Sequence, residues 1–214
     1  MATESHLSRE PSPRRRRSVT RAALLDKARE LIRSGEALTT VSLTRAVGVS
    51  QPAFYAHFRS IDECEREVFR EVGERMRRLH SKQRRTLLSG RGLDTDAITE
   101  HLENIIGDLI ENAVWFEIQQ RRRHDATAIG DVVRAVEAGA REELAADLRQ
   151  TMNALRVPGD RDAAALLQAE LVLASVNIAV EALLTGRQKD RSFVARMLAK
   201  VFVGSLQALA GESR

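Results

Sequence analysis

The sequence predicts an all-α protein, with a small N-terminal group of short helices on a larger helical body. Three observations carry this reading. The 214 residues hold only four prolines, and none lies between Pro52 and Pro158. Apolar residues recur three and four apart over most of the chain, as one buried helix face requires. No stretch alternates apolar and polar residues between turn signals, the pattern of a half-buried strand.

Each element follows in order. Residues 1–17 contain PSPRRRR and almost nothing apolar, so they read as a disordered basic arm. A first helix starts near Ser18 or Thr20, with Ala23, Leu24, Ala28, Leu31 and Ile32 at helical spacing and Gly35 at its end. Thr39 or Thr40 offers a hydroxyl to start a second helix, whose apolar positions are Val41, Leu43, Ala46 and Val47. Gly48 ends it and Ser50 caps a third. A longer helix runs from Ser60 to about Leu88, closed by Ser89-Gly90-Arg91-Gly92. Further helices are expected near 94–112, 113–123, 126–155, 160–185 and 189–210, with Val157-Pro158-Gly159 and Thr185-Gly186 as breaks.

The stretch RAVGVSQPAFYAHF, Arg45 to Phe58, is unlike its surroundings. A short helix, a glycine turn and a second short helix make a helix-turn-helix unit over residues 18–60. Gly48 permits the positive φ that ends helix two within one residue. Val49 fills the corner with apolar surface, and Pro52 falls in a first turn, where its missing N–H loses no bond. Helix three would present Ser50, Gln51, Ala53 and Phe54 outward, with Phe58 as a core anchor. Gln51 suits bidentate contact with adenine, and Ala53 lets the backbone approach a groove and touch a thymine methyl. Tyr55 and His57 carry donors for phosphate oxygens. With Thr39, Thr40 and Arg45, these form the expected face toward double-stranded DNA. The charge agrees: residues 1–60 hold eleven Lys/Arg against five Asp/Glu, a surplus of six, while the whole chain carries +4, leaving −2 for the rest. A basic head on a mildly acidic body fits a polyanion partner for the head alone. Arg14–Arg17 read either as a solvated tail or as an arm attracted to phosphate or the minor groove.

This pattern resembles the TetR family of bacterial transcriptional repressors. The residues that carry the resemblance are the helix from Thr20, Thr39-x-x-x-Leu43, Ala46-Val47-Gly48-Val49-Ser50, Phe54-Tyr55-x-His57-Phe58, and the acidic helix start Ile61-Asp62-Glu63. Ile61 stands where that family commonly has Lys, which removes one phosphate contact. The resemblance implies a homodimeric repressor that reads a palindromic operator and answers to a small hydrophobic effector held in its body. The run Phe116–His124, the stretch Arg59–Glu63 and the stretch Glu71–Leu79 also resemble the subgroup that senses fatty acyl-CoA and controls unsaturated lipid synthesis. In that reading Arg121–Arg123 could meet an anionic headgroup, although a solvated helix end explains them more simply.

Residues 61–214 are accordingly expected to form an effector-binding and dimerisation body. The helix from Ala163 to Leu184 is apolar on both sides, one stripe holding Ala164, Leu167, Leu171, Ser175, Ile178 and Ala182 and the other Leu166, Leu173, Val176, Val180 and Leu184. A helix apolar all round must be covered on both faces. Its own chain can cover one and a second subunit the other. The expected interface is Leu173, Val176, Ile178, Val180 and Leu184, with Phe193, Val194, Met197, Leu198, Val201 and Phe202 from the last helix. Large or polar residues inside apolar helices mark the expected ligand site: Asn104, Trp115, Phe116, Gln168, Ser175 and Asn177.

A rival class is an enzyme on a helical scaffold. The sequence holds no GxSxG, no phosphate-cradling glycine loop and no HExxH. Its five histidines (His6, His57, His80, His101, His124) show no metal-ligand spacing, and nothing fixes a geometry for His101 with His124. No catalytic residue, metal or cofactor is expected. The other rival is a DNA-binding regulator with no effector. The single Cys64 suits a reducing cytoplasm, the N-terminus lacks the apolar stretch of a secretory signal, and no segment is expected to span a membrane.

Overall fold

A computed structural model describes residues 20–88 and 93–211. Within them the chain forms nine α-helices: α1 (Arg21–Arg33), α2 (Thr40–Val47), α3 (Gln51–Tyr55), α4 (Ile61–Leu88), α5 (Thr95–Glu111), α6 (Ala113–Arg122), α7 (Ala128–Ala154), α8 (Arg161–Leu184) and α9 (Arg191–Gly211). The described residues contain no strand. The arm at residues 1–17 and the turn at 89–92 lie outside the described residues.

Capping explains most of the boundaries. Thr20, Thr39, Asp94, Thr127 and Asp160 each accept a backbone N–H of the following first turn, satisfying donors that a helix start leaves open. Thr39 rather than Thr40 starts α2, in a reciprocal box with Ser42. Ser50 is a correction. It occupies the cap position of α3, but its hydroxyl makes no capping bond, and the first turn closes instead through its carbonyl.

Three apolar cores form. The first joins α1, α2 and α3 to the start of α4 through Leu24, Leu43, Phe54, Phe58, Cys64, Val68 and Phe69, and it reaches Trp115 of α6. The second lies between α5, α6, the end of α8 and the start of α9. The third lies between α7, the start of α8 and the end of α9. The body is layered by α4 on α7, α7 on α8, and α5 on α9. Gly73 marks the tightest crossing: a Cβ there would meet Val136 Cγ1 of α7 at 2.7 Å. Only a residue without a side chain lets α4 and α7 approach this closely.

Contrary to expectation, α8 and α9 are both long and apolar enough to cross a membrane by length and composition alone. Their packing offers another use for that apolarity. Each covers a core of this chain with one face, and α8 buries Gln168, which donates a 2.9 Å hydrogen bond to Ser205 of α9.

Candidate functional site

The head is built so that one outer surface stays polar and its support apolar. Gly48 ends α2 in the left-handed region (φ 77, ψ 38), and its N–H and that of Val49 both donate to the Thr44 carbonyl at 2.9 Å. This sharp stop lets Val49 pack into the corner against the first core. The five residues of α3 then start at once, with Pro52 in the first turn. Arg45, Ser50, Gln51 and Tyr55 stand exposed beside one another in sequence across the turn and α3, while Ala53 and His57 are half-buried. Thr39 is exposed and Thr40 half-buried at the start of α2. Arg45 makes no ion pair among the described residues.

Phe54 corrects the expectation. It is fully buried, stacked on Phe58 at 5.5 Å between centroids and edge-on to Tyr55 at 5.3 Å. It positions Tyr55 rather than facing outward. On the other side of Phe58, the guanidinium of Arg21 lies 4.5 Å from the ring centre and also pairs with Glu67 of α4. The same clamp therefore ties α1 to α3 and α4.

The body contains a cavity of about 420 Å³. Its long wall is α4, from Phe69 through Gly73 and His80 to Leu88, a span of about 28 Å at helical rise. Residues from α5 to α9 close the remaining sides, and most are apolar: Ile98, Leu102, Trp115, Phe116, Val133, Val136 and Leu144 among them. The cavity brings together five of the six residues expected from sequence, Trp115, Phe116, Gln168, Ser175 and Asn177. Asn104 is exposed on α5 and is not among the lining residues. Helical periodicity explains the miss: Ile98, Leu102 and Ile106 mark the buried face, and Asn104 falls between its turns. Ser175 is also less available than expected, since its hydroxyl donates to the Leu171 carbonyl at 2.7 Å.

Trp115 belongs to two places at once. It lines the cavity and packs edge-on against Phe69 at 5.1 Å within the first core. One residue thus lines the cavity and supports the head.

Three charged or titratable residues of the wall were not expected from sequence. His80 and Arg84 of α4 and His101 of α5 line the cavity. Burial lowers the proton affinity of both imidazoles, and for His101 the pKa falls to about 4, with His80 and Arg84 adding to the shift. The available signal was the position of His101 within the apolar stripe of α5, three residues after Ile98. His124, by contrast, is exposed between α6 and α7, so the two histidines do not share an environment. The three arginines after Gln120 are each paired within the chain, Arg121 with Glu117, Arg122 with Asp125 and Arg123 with Glu137. Burial pushes the Cys64 thiol up to about 12, which suppresses the thiolate a nucleophile needs. No cluster of potential metal ligands occurs among the described residues.

The expected dimer residues divide in two. Ile178 is 62 % exposed, Val201 66 %, Phe193 50 % and Met197 46 %, and Leu184 is exposed beside them. Val176, Val180 and Val194 are buried in the chain's own second core, so their side chains are not free for a partner. Leu173 and Phe202 are half-buried and line the cavity. Of the α8 residues expected at the interface, Ile178 and Leu184 therefore lie on the outer face, which Leu166, Leu167 and Leu171 extend, while Val176 and Val180 face the chain's own core.

No family model and no curated protein sequence matches the chain. Solved structures do. The chain is similar to the Bacillus subtilis transcriptional regulator FadR, solved in complex with stearoyl-CoA, with a TM-score of 0.66 and 12 % identity over 86 % of this chain and 98 % of that one. A TetR-family transcriptional regulator from Streptomyces coelicolor gives 0.67 and 16 % over 91 % and 82 %. The fatty acid degradation regulator FadR from Bacillus halodurans gives 0.63 and 14 % over 93 % and 99 %. The chain has the TetR fold, a helix-turn-helix head on a helical body.

Proposed function

We propose that this protein is a ligand-responsive transcriptional repressor that binds a palindromic DNA operator as a homodimer and takes a small hydrophobic effector, with fatty acyl-CoA the leading class. One observation carries the reading: the helix that walls the cavity is the helix on which the head is mounted. In this account Gln51 reads a base and Arg45, Tyr55 and His57 hold phosphates, with Thr39 at the edge of the same face. A recognition helix of five residues buries too little alone for operator affinity, so two heads act together at a spacing set by α4.

The outer face of α8 and α9 supports the homodimer, since isolated monomers seldom leave this much contiguous apolar surface in water. Leu171 and Val201 both stand exposed and line the cavity, so a second copy on this face would also cover its mouth. An effector that prefers one head spacing shifts the population toward it, by as much as its difference in affinity for the two spacings and no more. The Bacillus subtilis neighbour was solved with stearoyl-CoA, which supports an acyl ligand here. No enzymatic role is proposed, and the cytoplasm is the proposed compartment. The test is operator selection from random duplex DNA, repeated with and without long-chain acyl-CoA. Enrichment of a palindrome, weakened or strengthened by the ligand, is expected. Enrichment that no apolar compound alters would leave a constitutive regulator.

A further inference from the structure

The cavity has one side that this chain does not finish. Among the described residues that line it, Leu171 at 53 % and Val201 at 66 % exposure stand in water, and the rest are buried or half-buried. A residue that both lines a cavity and faces solvent marks its mouth. Leu171 belongs to α8 and Val201 to α9, so the mouth is a slot between these two helices. The ends of the slot are closed. At one, Gln168 of α8 donates a 2.9 Å hydrogen bond to Ser205 of α9. At the other, Val180 and Val194 both belong to the second core. Between these ends Ser175 and Leu198 also line the cavity and are half-buried.

The slot opens onto the apolar face that carries Leu167, Ile178, Phe193 and Met197, all exposed. The charges of this face are sorted by helix. From Ala163 to Leu184 the charged residues of α8 are Glu170 and Glu181, and from Phe193 to Gly211 those of α9 are Arg196 and Lys200, all four exposed. A two-fold contact sets the same pair of helices against itself, so a second copy brings acids of one α8 toward bases of the other α9. Glu170 and Glu181 also pair within the chain, with Arg141 at 3.5 Å and Arg187 at 3.0 Å, but exposed pairs of this kind exchange partners at little cost.

We infer that the cavity exchanges its contents through the slot between α8 and α9, and that a second copy of the chain closes this slot, so that occupancy and dimerisation strengthen each other. The inference rests on the reading of this face as the dimer contact and of the cavity as the effector site, and it adds a route and a coupling to both. An apolar occupant leaves part of its surface in water at an open mouth. A partner that covers the mouth removes that surface from water along with its own. Whatever the second copy adds to the occupant's affinity, the occupant must return to the association of the copies. The same cover blocks the way out, as a lid does, and release waits on a loosening of the interface.

The experiment uses the full-length protein and N-phenyl-1-naphthylamine, a neutral apolar dye that takes up excitation energy from Trp115 when bound beside it. Release of the dye into excess phosphatidylcholine vesicles is timed for the native dimer, for the native protein diluted until light scattering shows monomer, and for Ile178→Asp. The diluted native protein gives the dimer-to-monomer comparison without any substitution. Release from the dimer should be about tenfold slower or more than from either monomer. Saturating dye should also lower the protein concentration at which the native dimer half dissociates, by about fivefold or more. A native dimer that releases dye as fast as the monomers, and whose dissociation ignores the dye, overturns the inference and leaves the dimer standing. A native protein that stays monomeric at every concentration, in solution or on the vesicles, removes the dimer reading itself. Dye that never takes energy from Trp115 removes the cavity reading, and the inference falls with either.

Discussion

The head and the body bury their side chains to different degrees of completion. In the head, the aromatic residues Phe54 and Phe58 are fully covered, and Arg21 clamps Phe58 to Glu67. In the body, a cavity of about 420 Å³ remains, with a row of exposed apolar residues on α8 and α9. A close-packed interior normally leaves few voids. The head therefore reads as a finished part and the body as one completed by other molecules.

The largest effect expected from this contrast is in the head. Phe54→Ala should cost about 3–5 kcal/mol of stability, the usual loss for a fully buried phenylalanine, and it should appear as a lower melting point in the absence of DNA. A Phe54→Ala protein that melts normally but misreads its operator would return Phe54 to the DNA-facing set.

A comparable effect is expected on the outer face of the body. Ile178→Asp places a charge where the proposed partner would cover it, at a cost of about 3–5 kcal/mol to association. Light scattering should show monomer, with operator affinity reduced. As a control, Val180→Ala, at a position inside the chain's own core, should lower the melting point without changing the mass of the particle. If Ile178→Asp still gives a clean dimer, α8 is not the contact.

The cavity wall has its own signature in acid. His101 titrates in the folded protein near 4 and near 6.5 when unfolded, so the unfolded chain binds the extra proton first. The stability this group contributes is complete above about 6.5 and is lost as the pH falls toward 4, by up to about 3 kcal/mol. His80 shifts the same way and adds to the slope, with Asp108 opposing it and Arg84 acting with it. Melting points of the native protein should fall more steeply between pH 6.5 and 4 than those of His101→Leu. Parallel curves would place His101 in contact with water.

The smallest effects separate roles on α3. Gln51→Ala should change preference at one base position by about 1–3 kcal/mol, while Tyr55→Phe should weaken all sequences alike. Binding-site selection with both variants distinguishes the two patterns.

Most of the helical order was legible, because caps and glycines act locally. Thr20, Gly48, Asp94 and Asp160 set boundaries through bonds to residues two to four away, and those spacings are visible in a string. The head followed from the same local logic, with Phe54 the exception. On a helix of five residues the periodicity is too short to decide which side faces in. In the body, α8 is apolar all round, so the pattern could not rank its faces and Val180 was assigned outward. The histidines and arginine of the cavity wall were harder to assemble, although His101 stands within the apolar stripe of α5. His80, Arg84 and His101 come from two helices, and Asp147, which fixes Arg84, lies 63 residues away on a third.

On the proposed function, an occupant of the cavity is felt at the head through α4 and Trp115. Trp115, the one tryptophan of the chain, packs on Phe69 at 5.1 Å and so reports both ends of the path. The direct measurement follows Trp115 emission and operator affinity together while a long-chain acyl-CoA is titrated. Both should change with the same midpoint, the affinity by about 5- to 150-fold in either direction. Emission that shifts while operator affinity stays constant would contradict it.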